Sequence, residues 1–100
     1  MNETKTLRVY HIINPPDDPT YRRVGSIEGA VRMIKELAQK DLGDTSITWN
    51  AFGLEEYHNA SQSWHGFDGW EEWYDEGGFD IQQVMDGESD YYDENGKEKQ

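Results

Sequence analysis

From Ala51 to Gly96 the chain runs for 46 residues without a lysine or arginine, and it places 13 Asp and Glu there. Carboxylates with no cation among them repel one another, and burying several together costs more than a small core can offset. Most of them must stay in water, and the fold has to be built around that requirement. The first fifty residues carry seven acids and seven bases, so the whole net charge of −12 belongs to the second half.

Such a chain has few aliphatic side chains with which to form a core. Leu, Ile, Val and Phe number 17 of 100, and with this net charge the composition approaches that of disordered chains. Four Trp and six Tyr restore the balance, because each aromatic side chain buries roughly 150–250 Å². The expectation is a single small domain over residues 1–86, followed by an acidic flexible tail over residues 87–100.

Several classes are excluded at this level. No apolar run approaches the ~20 residues of a membrane span. No hydrophobic stretch follows Met1-Asn2-Glu3-Thr4-Lys5, so no secretory signal is expected. The absence of cysteine removes disulfides and thiolate metal sites. The expected compartment is the cytoplasm, where the sequon Asn59-Ala60-Ser61 has no meaning. Direct nucleic-acid binding through the acidic half is disfavoured because phosphates would be repelled, whereas a basic protein partner is favoured. The same charge also serves plain solubility.

Thr6 to Asn14 is rich in β-branched and aromatic residues and reads as a strand. Leu7, Val9, His11 and Ile13 share one face, and Arg8, Tyr10 and Ile12 the other. Two partly apolar faces imply a central or a well-covered strand. The prolines of residues 14–19 end it. Ser26 is an N-cap, and Ile27, Ala30, Val31, Ile34, Leu37, Ala38 and Leu42 form the buried stripe of a helix closed by Gly43 at C′. Ile47 to Tyr57 reads as a second strand, with Gly53 marking a bulge or a close backbone approach. Trp70 to Asp75 reads as a third, and Asp80 caps a short helix, Ile81 to Met85. The predicted fold is α+β: a small, mostly antiparallel β-α-β-β sheet plus a short C-terminal helix, with one amphipathic helix packed on a face. Trp49, Phe52, Leu54 and either Trp70 or Trp73 supply the apolar face opposite that helix.

Catalytic and metal motifs are missing. His11, His58 and His65 are scattered, and no HExxH, GxSxG or phosphate-cradling glycine loop occurs. His58 and His65 share a loop with Glu55, Glu56 and Asp68 nearby, an arrangement that ordinary surface loops also show. Asp86, Glu88 and Asp90 alternate like calcium ligands, but Tyr91 stands where the loop needs Gly and Lys97 where it needs Glu. Adjacent carboxylates such as Glu71-Glu72 point to opposite faces of a strand, which does not make a glycosidase pair. No cofactor is expected, and the reading is of a protein that is not an enzyme.

The densest pattern is acids interleaved with aromatics: nine of 13 aromatics lie between Trp49 and Phe79. Asn50-Ala51-Phe52-Gly53-Leu54-Glu55 and Trp70-Glu71-Glu72-Trp73-Tyr74-Asp75-Glu76, with Asp80-Ile81 and the early Asn14-Pro15-Pro16, resemble small acidic proteins of phages and prophages of Gram-positive bacteria. In composition the chain is also similar to phage DNA mimics, which block host DNA-binding and defence enzymes. Carboxylates at i and i+2 on a strand are ~6.8 Å apart, about twice the ~3.4 Å charge spacing of one DNA strand. The expected function is therefore an acidic interaction protein that occupies the nucleic-acid-binding surface of a basic partner. Glu55, Glu56, Glu71, Glu72, Asp75, Glu76 and Asp80 form the expected charge array, with Trp64, Trp70 and Trp73 as anchors. Other readings compatible with the sequence are an immunity-type or regulatory binder of a basic toxin, a small carbohydrate- or ligand-binding module on the tryptophans, and a phage accessory domain without a strong partner. The sequence leaves the oligomeric state open.

Overall fold

The computed structural model describes residues 6–14, 18–47, 49–61, 66 and 68–99. Its elements run β1 (Leu7–Ile13), β2 (Thr20–Val24), α1 (Ile27–Leu42), β3 (Asn50–His58), β4 (Gly69–Glu72) and α2 (Ile81–Met85). The four strands form one antiparallel sheet in the order β2-β1-β3-β4. The α+β class is as the sequence implies, and of the two positions open to the first strand the sheet takes the central one. The order differs by one element, because β2 was not anticipated. Thr20–Val24 has four exposed residues of five, including Arg22 and Arg23, and lies at the sheet edge. An edge strand guarded by charge buries too little to leave an alternating apolar signature.

Leu7, Val9 and His11 of β1 and Leu54 of β3 are buried on the helix-covered face. They meet Ala30, Val31 and Ile34 of α1, Trp73, and Ile81 and Val84 of α2. Ser26 caps α1 by accepting from the Gly29 amide at 2.9 Å. The buried stripe ends at Asp41, not Leu42, which is 82% exposed. Seven residues complete two turns, so position 41 lies below Ile34 while Leu42 is rotated ~100° away. Gly43 closes the helix with φ −85°, without the left-handed conformation expected of a C′ glycine.

Trp49 is also a correction, being 62% exposed. Strand alternation assigns Asn50, Phe52 and Leu54 to the helix side, and therefore Trp49 to the face of Ala51 and Gly53. Gly53 marks a close approach and no bulge: the β1–β3 register is unbroken, and a Cβ at Gly53 would lie 2.0 Å from Cζ of Tyr10.

The segment expected as a flexible tail packs into the body. Tyr92 bridges to Glu98 and meets Trp73 edge-on at 5.7 Å. Asp93 Oδ1 accepts from the amides of Asn95 and Lys97, turning the chain back. Gly96, buried and at φ +84°, abuts the first turn of α1, where a Cβ would lie 2.8 Å from the Ile27 carbonyl oxygen.

Candidate functional site

Two strands carry four of the seven acids of the expected charge array, and the pleat divides them between the sheet faces. Glu55 and Glu72 are cross-strand neighbours on the face that α1 leaves uncovered. Glu55 accepts from Arg8 Nε at 2.7 Å. Glu72 accepts from the Tyr10 hydroxyl at 2.9 Å, the Tyr10 ring reaching it across Gly53. Burial, with Asp80 and Glu55 nearby, raises Glu72 above the ordinary carboxylate value. Burial and Glu72 likewise raise the Tyr10 phenol.

Trp70 belongs to this same face. The Arg8 guanidinium lies 4.1 Å and that of Arg23 5.5 Å from its ring centroid, and Tyr57 meets it edge-on at 5.5 Å. Arg8 also lies 3.7 Å from the Tyr21 ring centroid. The uncovered face is thus a lattice of cations, rings and acids in mutual contact.

Glu56 and Glu71 pair on the opposite face. Both hold His58: Nε2 lies 3.1 Å from Glu56 Oε1, and Nδ1 is bonded to Glu71 Oε2. Burial lowers the imidazole, but the two carboxylates outweigh it, and His58 stands above its ordinary value. Among the described residues no group of three or more His, Asp or Glu is placed to hold a metal ion. His65 and Trp64 lie outside the described residues.

Trp73 and Asp75 are not surface residues. Trp73 is 1% exposed, so it is a core side chain and not an anchor. β4 ends at Glu72, and the chain then turns Trp73 inward with its amide on the Leu54 carbonyl at 2.9 Å. Asp75 is buried, Oδ1 accepting from the amides of Gly77 and Phe79 and Oδ2 from Ser89 Oγ. Burial pushes this carboxyl up, and these donors outweigh it, leaving it below the ordinary value. Ser89 Oγ in turn accepts from the amides of Tyr91 and Tyr92. Asp80 caps α2 in a reciprocal box with Gln83. Of the seven acids in the expected array, only Glu76 is exposed. The reason is local to the fold: cross-strand and capping partners, invisible in one strand's sequence, have absorbed the others.

Exposed acid lies further along the chain. Glu76, Glu88, Asp90, Glu94 and Glu98 are exposed, and their side chains make no hydrogen bond or ion pair among the described residues. Asp86 is exposed as well, touched only by Gln82 at 3.3 Å. Tyr74 and Tyr91 stand among them at 55% and 42% exposure. Glu76 and Glu98 share a field: the Tyr92 phenol is raised by burial and then by Glu98, Asp75, Glu76 and Glu56. Acid–tyrosine alternation after Asp86 was legible as composition, but not as a folded surface, because the Asp75–Ser89 link that fixes it spans 14 residues. No family model, curated protein or solved structure matches the chain. Among the described residues no helix is long and apolar enough to cross a membrane.

Proposed function

We propose that the chain is an acidic interaction protein, not an enzyme, and that its binding surface is the folded lobe from Tyr74 to Glu98. The lobe presents Glu76, Asp86, Glu88, Asp90, Glu94 and Glu98 around the exposed rings of Tyr74 and Tyr91 to a basic, nucleic-acid-binding surface of a cytoplasmic protein, such as a host DNA-binding or defence enzyme. The carrying observation is that five of these acids are exposed without any side-chain partner among the described residues, while the acids of β3 and β4 are engaged. Fixed carboxylates held apart by backbone turns can stand in for a run of phosphates, and the tyrosines supply rigid contact area. The resemblance to small acidic phage proteins agrees with this reading.

The test is affinity capture from host lysate. The wild-type chain is compared with a variant carrying E76Q, E88Q, D90N, E94Q and E98Q, at low and at moderate salt. The wild type retains a basic nucleic-acid-binding protein that is released by salt, and the variant does not. Equal capture by both, or recovery of no such protein, refutes the reading.

A further inference from the structure

The C-terminal end of α1 lies ~20 Å along the helix from the turn that supports the acidic lobe. There a cleft of about 580 Å³ opens between α1 and the β1–β2 ladder, walled by His11, Thr20, Arg22, Lys40 and Thr45 among others. His11 and Asp41 line it while being only 5% and 6% exposed. Asp41 Oδ2 receives two donors at 2.7 Å each, His11 Nε2 and Asn50 Nδ2. Phe52 stacks on the imidazole with centroids 4.6 Å apart and planes 9° from parallel. The ring is held in one orientation.

In the neutral tautomer that gives its Nε2 hydrogen to the carboxylate, Nδ1 carries a lone pair. Nδ1 has no hydrogen bond to any described residue, yet no fully buried side-chain nitrogen or oxygen lacks a partner. Nδ1 is therefore the atom through which the ring meets the cleft. A fully buried imidazole nitrogen normally has a partner in the protein or in ordered water. Here the oriented acceptor shares its cleft with two exposed cations, Arg22 and Lys40, neither of which makes a hydrogen bond or ion pair among the described residues. The remaining acid of the wall, Asp44, has Oδ1 taken by the amide and hydroxyl of Ser46.

We propose that this cleft binds a small oxyanion bearing a hydroxyl, of the hydrogen-phosphate or phosphomonoester class. The P–OH group donates to His11 Nδ1, and the other oxygens accept from Arg22 and Lys40. Asp41 positions the imidazole and does not touch the ligand. No bond is made or broken.

The probe is inorganic phosphate, titrated into the ¹⁵N-labelled full chain at constant ionic strength maintained with NaCl. The expected result is saturable movement of the His11 ring nitrogens and of the Arg22 and Thr45 signals, with a dissociation constant of about 1 mM. The variant R22Q/K40Q, changed only at exposed positions, keeps the melting temperature and binds about tenfold more weakly or worse. H11L removes the acceptor and also disturbs a buried pair, so the exposed double variant carries the decision. Unsaturable shifts, an unmoved His11, or equal affinity in R22Q/K40Q overturns the proposal.

Discussion

Replacing Gly53 by alanine tests the architecture of the uncovered sheet face at its tightest point. A Cβ there lies 2.0 Å from Tyr10 Cζ, 2.1 Å from Oη and 2.3 Å from Cε2. All three atoms are at the far end of the ring, so the strand need not break, but the ring must leave β3. Its hydroxyl then loses Glu72, a hydrogen bond to a charged group worth about 1.5–3 kcal/mol. Glu72 is half-buried and loses a donor that holds its carboxyl down. The better strand propensity of alanine returns a few tenths of a kcal/mol at most. The net cost is about 1–3 kcal/mol, or a melting temperature lower by roughly 4–24 °C for a chain of this length. The control is the same substitution in Y10A, where there is no ring to displace and G53A is close to neutral. Thermal melts followed by far-UV circular dichroism for wild type, G53A, Y10A and the double variant close the cycle. A coupling near zero would refute the reasoning, because it would mean that the Tyr10 ring does not rest on Gly53.

Ser89→Ala leaves Asp75 Oδ2 and two backbone amides without their partner; we expect a loss of about 3 kcal/mol by urea denaturation and faster amide exchange in residues 89–99. Stability against pH follows the directions of the shifts. His58 is raised above 6.5, so its contribution is complete below that value and is lost as pH rises through the folded-state value. Glu72 is raised above 4.5, so its penalty at neutral pH is relieved as pH falls through its folded value towards 4.5. Asp75 is lowered below 3.8, so its contribution disappears only as pH falls through the folded value beneath that. The melting temperature therefore rises as pH falls to about 4.5 and declines below about 3.8, and H58Q flattens the alkaline side of the profile. Raising NaCl from about 20 to about 300 mM increases the melting temperature by screening the exposed acids; a decrease would mean that ion pairs such as Arg8–Glu55 outweigh that repulsion.

Helix α1 and strand β1 were legible because burial on a defined face imposes a period on the residues themselves: Ala30, Val31 and Ile34 on one, Leu7, Val9 and His11 on the other. Strand β2 was not, because Arg22 and Arg23 at an open edge bury nothing. The candidate site was legible in sign and not in place. The 46-residue stretch without a base does produce an acidic surface. Which acids form it depends on Arg8, Tyr10, His58 and Ser89, and each of these reaches its carboxylate across strands or through a loop. Trp73 shows the same limit: its strand ends at Glu72, so alternation could not say that the next residue turns into the core.

The most direct measurement of the central claim is a competition experiment. A partner captured by the wild-type chain is loaded with a fluorescent DNA or RNA duplex, and the chain is titrated against it while anisotropy is read. The account predicts that the wild type displaces the nucleic acid stoichiometrically, that raised salt weakens the displacement, and that the lobe variant E76Q/E88Q/D90N/E94Q/E98Q fails to displace it. Displacement by that variant at wild-type strength, or a ternary complex in which protein and nucleic acid bind the partner together, would contradict it.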